Sequence, residues 1–205
     1  MSAPVRVKVC GITNLDDALA AVDAGAAALG FNFYSRSPRH IAPQSAADII
    51  VKLPALVRTV GVFVNETRER ITAIAKDVGL NTLQFHGDED ADSCRGWTQE
   101  VIKAIRVHDR QAALEAQTYA VDFILADAYV EGEFGGTGQR IATELLADFD
   151  RSRLILAGGL TPDNVAQAVQ AVRPFGVDVA SGVESAPGKK DWNLLRRFIT
   201  HAHAA

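Results

Sequence analysis

Apolar residues follow two alternating spacings along the chain. Short runs rich in β-branched and aromatic residues recur eight times, which is typical of buried strands. Between these runs, apolar residues stand three and four positions apart, as on one face of a helix. The pattern therefore predicts eight strands, each followed by a helix. The predicted strands are 5–10, 28–34, 59–65, 82–87, 100–106, 121–127, 153–159 and 176–182.

Helix-start signals support several of the intervening helices. Asn14 offers an N-cap after the first strand, because its side chain can accept from a free amide of the first turn. Either Asn65 or Thr67 offers the same after the third strand. After the seventh strand, Thr161 stands at a cap position and Pro162 at the first helical position, where proline is favoured.

This alternation predicts parallel strands joined by right-handed crossovers. An open, doubly wound sheet carries the same alternation. Eight units within about 200 residues, with short connections, instead favour a closed (β/α)8 barrel of the TIM type. We find no linker or shift in composition along the chain, so we expect one domain spanning 1–205.

Composition narrows the range of partners and compartments. The net charge of −4 and 22% charged residues give no support to a nucleic-acid or membrane partner. No apolar run approaches the ~18 residues that span a bilayer, and the first ten residues lack the apolar core of a signal peptide. Cys10 and Cys94 are far apart and suit reduced thiols. We therefore expect a cytoplasmic protein, as a monomer or homodimer.

Polar residues stand at or near the ends of five predicted strands. In a TIM barrel, the carboxyl ends of the strands and the loops that follow them build the active site. Any one of these residues is compatible with a hydrogen-bonded core group or a turn. Five polar residues on one rim indicate a functional site, and they are Cys10, Asn32, His86, Asp127 and Asp178.

The first strand places a lysine and a thiol on the same face. Side chains alternate along a strand, so Lys8 and Cys10 share one face while Val7 and Val9 share the other. Because the valines suit the side that faces the helices, Lys8 and Cys10 are expected to point into the barrel. An ammonium close to the thiol favours the thiolate. Pairing of Lys8 with a carboxylate in the barrel floor is an equally good interpretation.

Glycine-rich segments follow the last three strands, at 134–139, 157–164 and 180–191. Backbone amides of such loops can bind phosphate, and TIM barrels commonly bind it after strands seven and eight. The residues after Ser181 are suited to form a short extra helix there. On the loop after strand two, Arg36 and Arg39 suit a carboxylate, which arginine binds through two parallel hydrogen bonds.

These groups suit acid–base chemistry on a phosphorylated small molecule. His40, His86 and His108 show no spacing typical of a zinc site. Neither a dinucleotide-binding fingerprint nor a P-loop is present. We therefore expect no metal or cofactor. An acid and a base on opposite sides of a pocket suit an isomerisation, in which one proton is delivered and another removed.

Seven segments together resemble the phosphoribosylanthranilate isomerase family of tryptophan biosynthesis. The resemblance runs in order from about residue 6 to residue 192. It is carried by "VKVCGIT", "GFNFYSRSPRHI", "GVFVN", "LQFHGDE", "GGTG", "AGGLTPDNV" and "VDVASGVES" followed by "PGKKD". The chain departs from the family in two places, at "YSRSPR" and at the segment after "GGTG".

The resemblance implies an Amadori rearrangement of N-(5′-phosphoribosyl)anthranilate to the 1-deoxyribulose phosphate. The family's general base falls on Cys10 and its general acid on Asp127. Arg39 would bind the anthranilate carboxylate, Asp178 would lie near the anthranilate nitrogen, and His86 would contact the substrate. Backbone amides would bind the phosphate around Gly136, Gly158, Gly159, Ser181 and Gly182.

Three other functions compete with this interpretation. A sugar-phosphate epimerase typically needs a metal-binding cluster, and indole-glycerol-phosphate synthase needs a catalytic lysine with paired glutamates. Neither set is apparent in the sequence. A non-catalytic barrel that binds a phosphorylated ligand would bind substrate analogues without turnover.

Overall fold

Eight parallel strands close into a barrel, which confirms the predicted TIM fold. The computed structural model describes residues 4–107, 109–127, 143–146 and 149–205. Each strand pairs with the next in the chain, and the eighth pairs with the first. The strands are β1 Arg6–Cys10, β2 Ala28–Asn32, β3 Arg58–Phe63, β4 Thr82–Phe85, β5 Glu100–Arg106, β6 Phe123–Asp127, β7 Leu154–Ala157 and β8 Gly176–Val179.

Six α-helices are described around the barrel. They are α1 Leu15–Asp23, α2 Pro43–Ile50, α3 Arg68–Val78, α4 Arg110–Ala116, α5 Val165–Val172 and α6 Trp192–His203. None of the helices in the described ranges is long and apolar enough to cross a membrane.

The helix caps confirm part of the prediction. Asn14 caps α1, as its side chain accepts from the amide of Asp17 at 2.8 Å. Thr67, rather than Asn65, caps α3. The predicted start at Thr161 is wrong, because residues 162–164 form a turn and α5 begins only at Val165.

The prediction of a helix after every strand is also wrong. Between β4 and β5, residues 86–99 form turns and irregular backbone. Here the Asp90 carboxylate accepts from the amide of Ser93, as at a helix start, but residues 91–94 form only a turn. Gly96 then adopts a left-handed conformation with φ 70°. Cys94 lies in a turn of this segment and is buried.

Two apolar layers fix the barrel. Outward-facing strand residues such as Val7, Val9 and Leu29 pack against the helices in one continuous core. A second, smaller cluster fills the barrel interior, with Val60, Leu125 and other inward-facing residues. Strand alternation thus leaves the carboxyl-end positions of the interior for polar side chains.

The last barrel unit carries an additional hairpin. After β8, a 3-10 turn at Ser181–Val183 leads into the antiparallel strands β9 Glu184–Ala186 and β10 Lys189–Lys190. The Asp191 side chain then caps α6. The predicted short extra helix is therefore present as a single 3-10 turn.

Candidate active site

Lys8 and Cys10 point into the barrel at its carboxyl end, as predicted. A Cβ atom placed on Gly30, the β2 partner of Cys10, would lie 2.8 Å from Cys10 Sγ and 3.1 Å from Lys8 Nζ. The thiol and the ammonium therefore share the space that the missing glycine side chain leaves. Only a residue without a side chain fits opposite them, since such short contacts are not tolerated in a packed interior.

Lys8 pairs with a carboxylate and also lies beside the thiol. Its Nζ donates to Asp178 Oδ1 at 2.8 Å, and the two residues are register partners on β1 and β8. Burial disfavours the ammonium, but the carboxylate of Asp178 and the Cys10 sulfur outweigh it and raise the pKa of Lys8 above its ordinary value. Lys8 therefore remains charged beside the thiol.

His86 follows β4 and faces the same end of the barrel. Its Nδ1 lies 2.8 Å from Nε2 of the fully buried Gln84, two residues earlier on the same face. The protein packed around the ring, and then the Lys8 ammonium, lower the pKa of His86 below its ordinary value. The imidazole is therefore neutral at pH 7.

Asp127 ends β6 and shares a cavity of about 720 Å³ with His86, Lys103 and Arg106. The charge of Asp127 acts on His86, as do the charges of Lys8 and Asp178. His86 thus lies within electrostatic range of Asp127 and of the Lys8–Asp178 pair. These four residues lie in one polar region of the barrel, although they come from separate strands of the sequence: Lys8, His86, Asp127 and Asp178.

Arg39 is engaged by a carboxylate that the sequence analysis did not assign. Its Nε and Nη2 donate to Glu184, with Nε–Oε1 at 2.9 Å and Nη2–Oε2 at 2.6 Å. Glu184 also accepts from Lys190 Nζ at 2.9 Å. Both partners lie inside the "SGVES" and "PGKKD" segments, yet sequence spacing alone gives no sign that a strand-two loop meets them.

The two described glycine-rich loops adjoin each other. Gly158 and Gly159 have φ of 90° and 58°, which side chains rarely adopt. A Cβ on Gly182 would overlap the carbonyl oxygen of Leu160, so the turn after β8 packs directly on the loop after β7. Ser181 begins that turn. These four predicted phosphate contacts are therefore neighbours, whereas Gly136 and the loop 134–139 lie outside the described residues.

Asn164 was also missed, and it fixes the loop after β7. Its Oδ1 accepts from the amide of Thr161 at 2.8 Å, and its Nδ2 donates to the carbonyl of Gly159 at 3.0 Å. The side chain therefore bridges the glycines to the start of α5. Asparagine is a favoured N-cap residue and was the available signal, but proline at 162 drew the prediction to Thr161.

A second buried lysine was missed on β5. Lys103 Nζ donates to Glu89 Oε2 and to the carbonyl of Gly87, both at 2.7 Å. Glu89 also accepts from the amides of Asn65 and Gly87. This pair joins the loops after β3 and β4 to β5. The signal available in the sequence was a lysine inside the apolar run "EVIKAIR".

The arrangement is suited to proton transfer on an anionic ligand. A thiol lies beside an ammonium, a carboxylate ends β6, a guanidinium lies near the thiol, and two adjoining glycine loops supply backbone amides. Across the described ranges, no three His, Cys, Asp or Glu side chains are grouped as metal ligands would be.

Comparison with known proteins connects this geometry to one family. The model of the N-(5′-phosphoribosyl)anthranilate isomerase family matches residues 7–201. The N-(5′-phosphoribosyl)anthranilate isomerase of Trichlorobacter lovleyi is 49% identical over 203 residues, covering 98% of this chain and 99% of that protein.

Solved structures agree with the sequence match. The phosphoribosyl anthranilate isomerase of Thermotoga maritima superposes with a TM-score of 0.90 at 46% identity, covering 98% of this chain and 100% of that one. A further isomerase structure, in complex with reduced 1-(o-carboxyphenylamino)-1-deoxyribulose 5-phosphate, has a TM-score of 0.88 at 44% identity over 98% and 100% of the two chains. The chain belongs to the N-(5′-phosphoribosyl)anthranilate isomerase family.

Proposed function

We propose that the protein converts N-(5′-phosphoribosyl)anthranilate to 1-(2-carboxyphenylamino)-1-deoxyribulose 5-phosphate, with Cys10 as general base and Asp127 as general acid. The observation that carries the proposal is the Cys10 thiol beside the charged Lys8, at the barrel end where Asp127 lines a cavity. The family match supports the same reaction.

In the first step, the Asp127 carboxyl group delivers a proton to the furanose ring oxygen. The C1′–O bond breaks, and the anthranilate nitrogen lone pair forms a C=N bond to C1′, which gives an iminium ion. The resulting positive charge acidifies the proton on C2′. A positioned acid of this kind contributes about 10²–10⁴-fold to a rate.

In the second step, the Cys10 thiolate removes the C2′ proton. The electrons of the C2′–H bond form a C=C bond, and those of the C=N bond return to nitrogen, giving an enolamine. Tautomerisation then gives the 2′-ketone. Lys8 supports this step because its ammonium favours the thiolate, and its pairing with Asp178 fixes its position.

The remaining groups bind the substrate in this proposal. Arg39 contacts the anthranilate carboxylate, Asp178 lies near the anthranilate nitrogen, and His86 contacts the ligand. Backbone amides around Gly158, Gly159, Ser181 and Gly182 bind the phosphate, with Gly136 contributing from the loop after β6. The adjoining loops after β7 and β8 support a phosphate site of this kind.

The test follows the fluorescence decay of freshly prepared phosphoribosylanthranilate without added metal or cofactor. We expect Cys10→Ala and Asp127→Asn each to lower kcat by at least ~10² while the circular dichroism spectrum is retained. Near-normal turnover in either variant removes the role assigned to that residue. Tight binding of the reduced product analogue without any turnover by the unmodified protein would indicate a non-catalytic barrel.

Cys94 provides the matched control. It is the other cysteine, and burial raises its pKa to about 11, so it is a protonated thiol at neutral pH. Cys94→Ala is expected to keep kcat within about twofold, because general acid–base roles require reach to the substrate.

A further inference from the structure

Within the described residues, only one edge of the Arg39 guanidinium donates hydrogen bonds. Arginine has five N–H donors in a fixed plane. Nε–H and one N–H of Nη2 point to the two oxygens of Glu184, at 2.9 and 2.6 Å. Nη1 has no acceptor within the described residues. Three N–H groups are therefore open. Two of them, one on Nη1 and one on Nη2, form an edge that can bind a second carboxylate bidentately.

Charge favours such a second carboxylate. Glu184 accepts from Lys190 as well as from Arg39, at 2.9 Å. Two cations and one anion leave the Arg39–Glu184–Lys190 cluster with a net charge of +1. A neutral Arg–Glu pair would attract a carboxylate only weakly, whereas this cluster retains the attraction.

Within the Arg39–Glu184–Lys190 cluster, Glu184 and Lys190 are buried, whereas the Arg39 side chain is partly exposed. The side chains of Glu184 and Lys190 are 4% and 0% exposed, while that of Arg39 is 23% exposed. Lys190 Nζ also donates to the carbonyl of Cys10 at 2.6 Å. On its other side, the Arg39 side chain packs so closely on Gly11 that an added Cβ would lie 2.6 Å from Arg39 Cδ.

We infer that Glu184 is a positioning residue for ligand recognition, holding the Nε–Nη2 edge of Arg39 so that the Nη1–Nη2 edge binds the carboxylate of the ligand. The inference rests on the carboxylate contact proposed above for Arg39. It assigns to Glu184 the discrimination between ligands with and without a carboxyl group on the aromatic ring, since a preorganised guanidinium loses less entropy on binding.

The experiment compares two ligands by isothermal titration calorimetry. One is reduced 1-(o-carboxyphenylamino)-1-deoxyribulose 5-phosphate, and the other is the same compound without the ring carboxyl. In the unmodified protein we expect the carboxylated ligand to bind at least ~10-fold more tightly, as for a hydrogen bond to a charged group. In Glu184→Gln, this ratio is expected to fall about tenfold, while the Kd of the other ligand changes by less than about threefold.

The direction in which the affinity ratio changes in Glu184→Gln distinguishes a positioning role of Glu184 from a purely electrostatic one. Glutamine has one acceptor oxygen and an amide nitrogen that only donates, so it cannot offer a separate oxygen to each of the two Arg39 nitrogens. Removing the Glu184 charge makes the cluster more positive, so a purely electrostatic role would strengthen binding of the carboxylated ligand. A ratio that is unchanged or increased overturns the inference, as does an equal loss for both ligands, which would indicate a general structural role.

Controls separate this result from failure of the proposed function. Glu100→Gln removes the carboxylate from the Arg58–Glu100 pair at the opposite barrel end and is expected to leave the ratio unchanged. If the unmodified protein shows no preference between the ligands, the Arg39 contact itself is wrong. Should Glu184→Gln not fold, Glu184→Asp replaces it, because the shorter carboxylate still neutralises Lys190 but cannot reach both nitrogens. A ratio maintained in that variant would also overturn the inference.

Discussion

Two buried lysine–carboxylate pairs lie inside the same barrel and differ in what surrounds the ammonium. Lys8 and Asp178 are 4% and 10% exposed, and Lys103 and Glu89 are 3% and 6% exposed. Lys8 pairs with a strand neighbour and has a thiol beside it. Lys103 pairs with a loop residue, donates also to a backbone carbonyl, and lies 5.8 Å from the ring of Tyr119.

This difference shows how one interaction type serves two purposes. The Lys103 ammonium donates to the Gly87 carbonyl and to Glu89, so its charge holds the loop after β4 to the barrel. Lys8 has its position fixed by Asp178, and its charge also reaches the proposed general base. Burial and ion pairing are therefore common to both lysines, and the neighbouring thiol is what distinguishes Lys8.

The largest expected effect is on stability, and it is shared by both pairs. Lys8→Met and Lys103→Met each leave a buried carboxylate without its cation, which costs about 3–5 kcal/mol. Chemical denaturation at pH 7 measures this loss. Only Lys8→Met is expected also to lower the kcat of the folded fraction, by at least ~10-fold, because the thiolate loses its neighbouring charge.

Comparable kcat losses in the two lysine variants would contradict the assignment of separate roles. A kcat for Lys8→Met equal to that of the unmodified protein would show that the ammonium does not act on Cys10. Measurements are made at temperatures where denaturation curves show each variant to be folded.

A smaller effect is expected on the ionisation of His86. Both ammonium groups lower the pKa of His86, and the contribution of Lys8 is larger than that of Lys103. Removing a nearby positive charge favours the imidazolium, so the pKa of His86 is expected to rise in Lys8→Met and to rise less in Lys103→Met. NMR titration of the histidine resonances measures both, with His40→Gln and His86→Gln used for assignment.

Asp178→Asn is expected to shift the pKa of His86 in the opposite direction. The Asp178 carboxylate raises the pKa of His86, so its removal is expected to lower that pKa. A shift in the same direction for Lys8→Met and Asp178→Asn would be incompatible with His86 lying within range of both charges.

The smallest expected effect follows from removal of the hydrogen bond between the Tyr119 hydroxyl and Glu89. The Tyr119 hydroxyl donates to the carbonyl of Glu89 at 3.1 Å. Tyr119→Phe removes this hydrogen bond and retains the ring, so we expect a loss of about 0.5–1.5 kcal/mol in the free energy of unfolding and an unchanged kcat. A loss as large as that of Lys103→Met would mean that the hydroxyl, rather than the ion pair, holds the loop.

The sequence is sufficient to predict the barrel, because strand and helix periodicities and several caps are local properties. Position at strand ends also predicts that Cys10, His86, Asp127 and Asp178 lie at the carboxyl end of the barrel. The segment 86–99 was mispredicted because the turn that begins at Asp90 is not continued, and Gly96 follows in a left-handed conformation. The partners Glu89, Glu184 and Lys190 were missed because they are set by contacts between distant segments, and no local pattern encodes such contacts.

The roles of individual residues and the oligomeric state remain predictions. The topology decides which residues lie at the carboxyl end of the barrel, so the sequence alone was sufficient to predict their placement. Which acceptor each donor meets depends on side-chain packing. The bidentate contact of Arg39 with Glu184 joins residues 145 positions apart, and only a closed barrel brings them together.

The contacts around β1 also set the order in which this protein can mature during synthesis. Cys10 is synthesised before Asp178 and Lys190, but Lys8 requires Asp178 as its partner, and the Cys10 carbonyl requires Lys190. Asp17 likewise accepts from the Lys190 amide and the Trp192 indole. Domains fold as units as translation proceeds, so a nascent chain that stops before the final barrel unit lacks the partners of Lys8 and of the Cys10 carbonyl. The surroundings of the first strand are thus completed only by the last barrel unit.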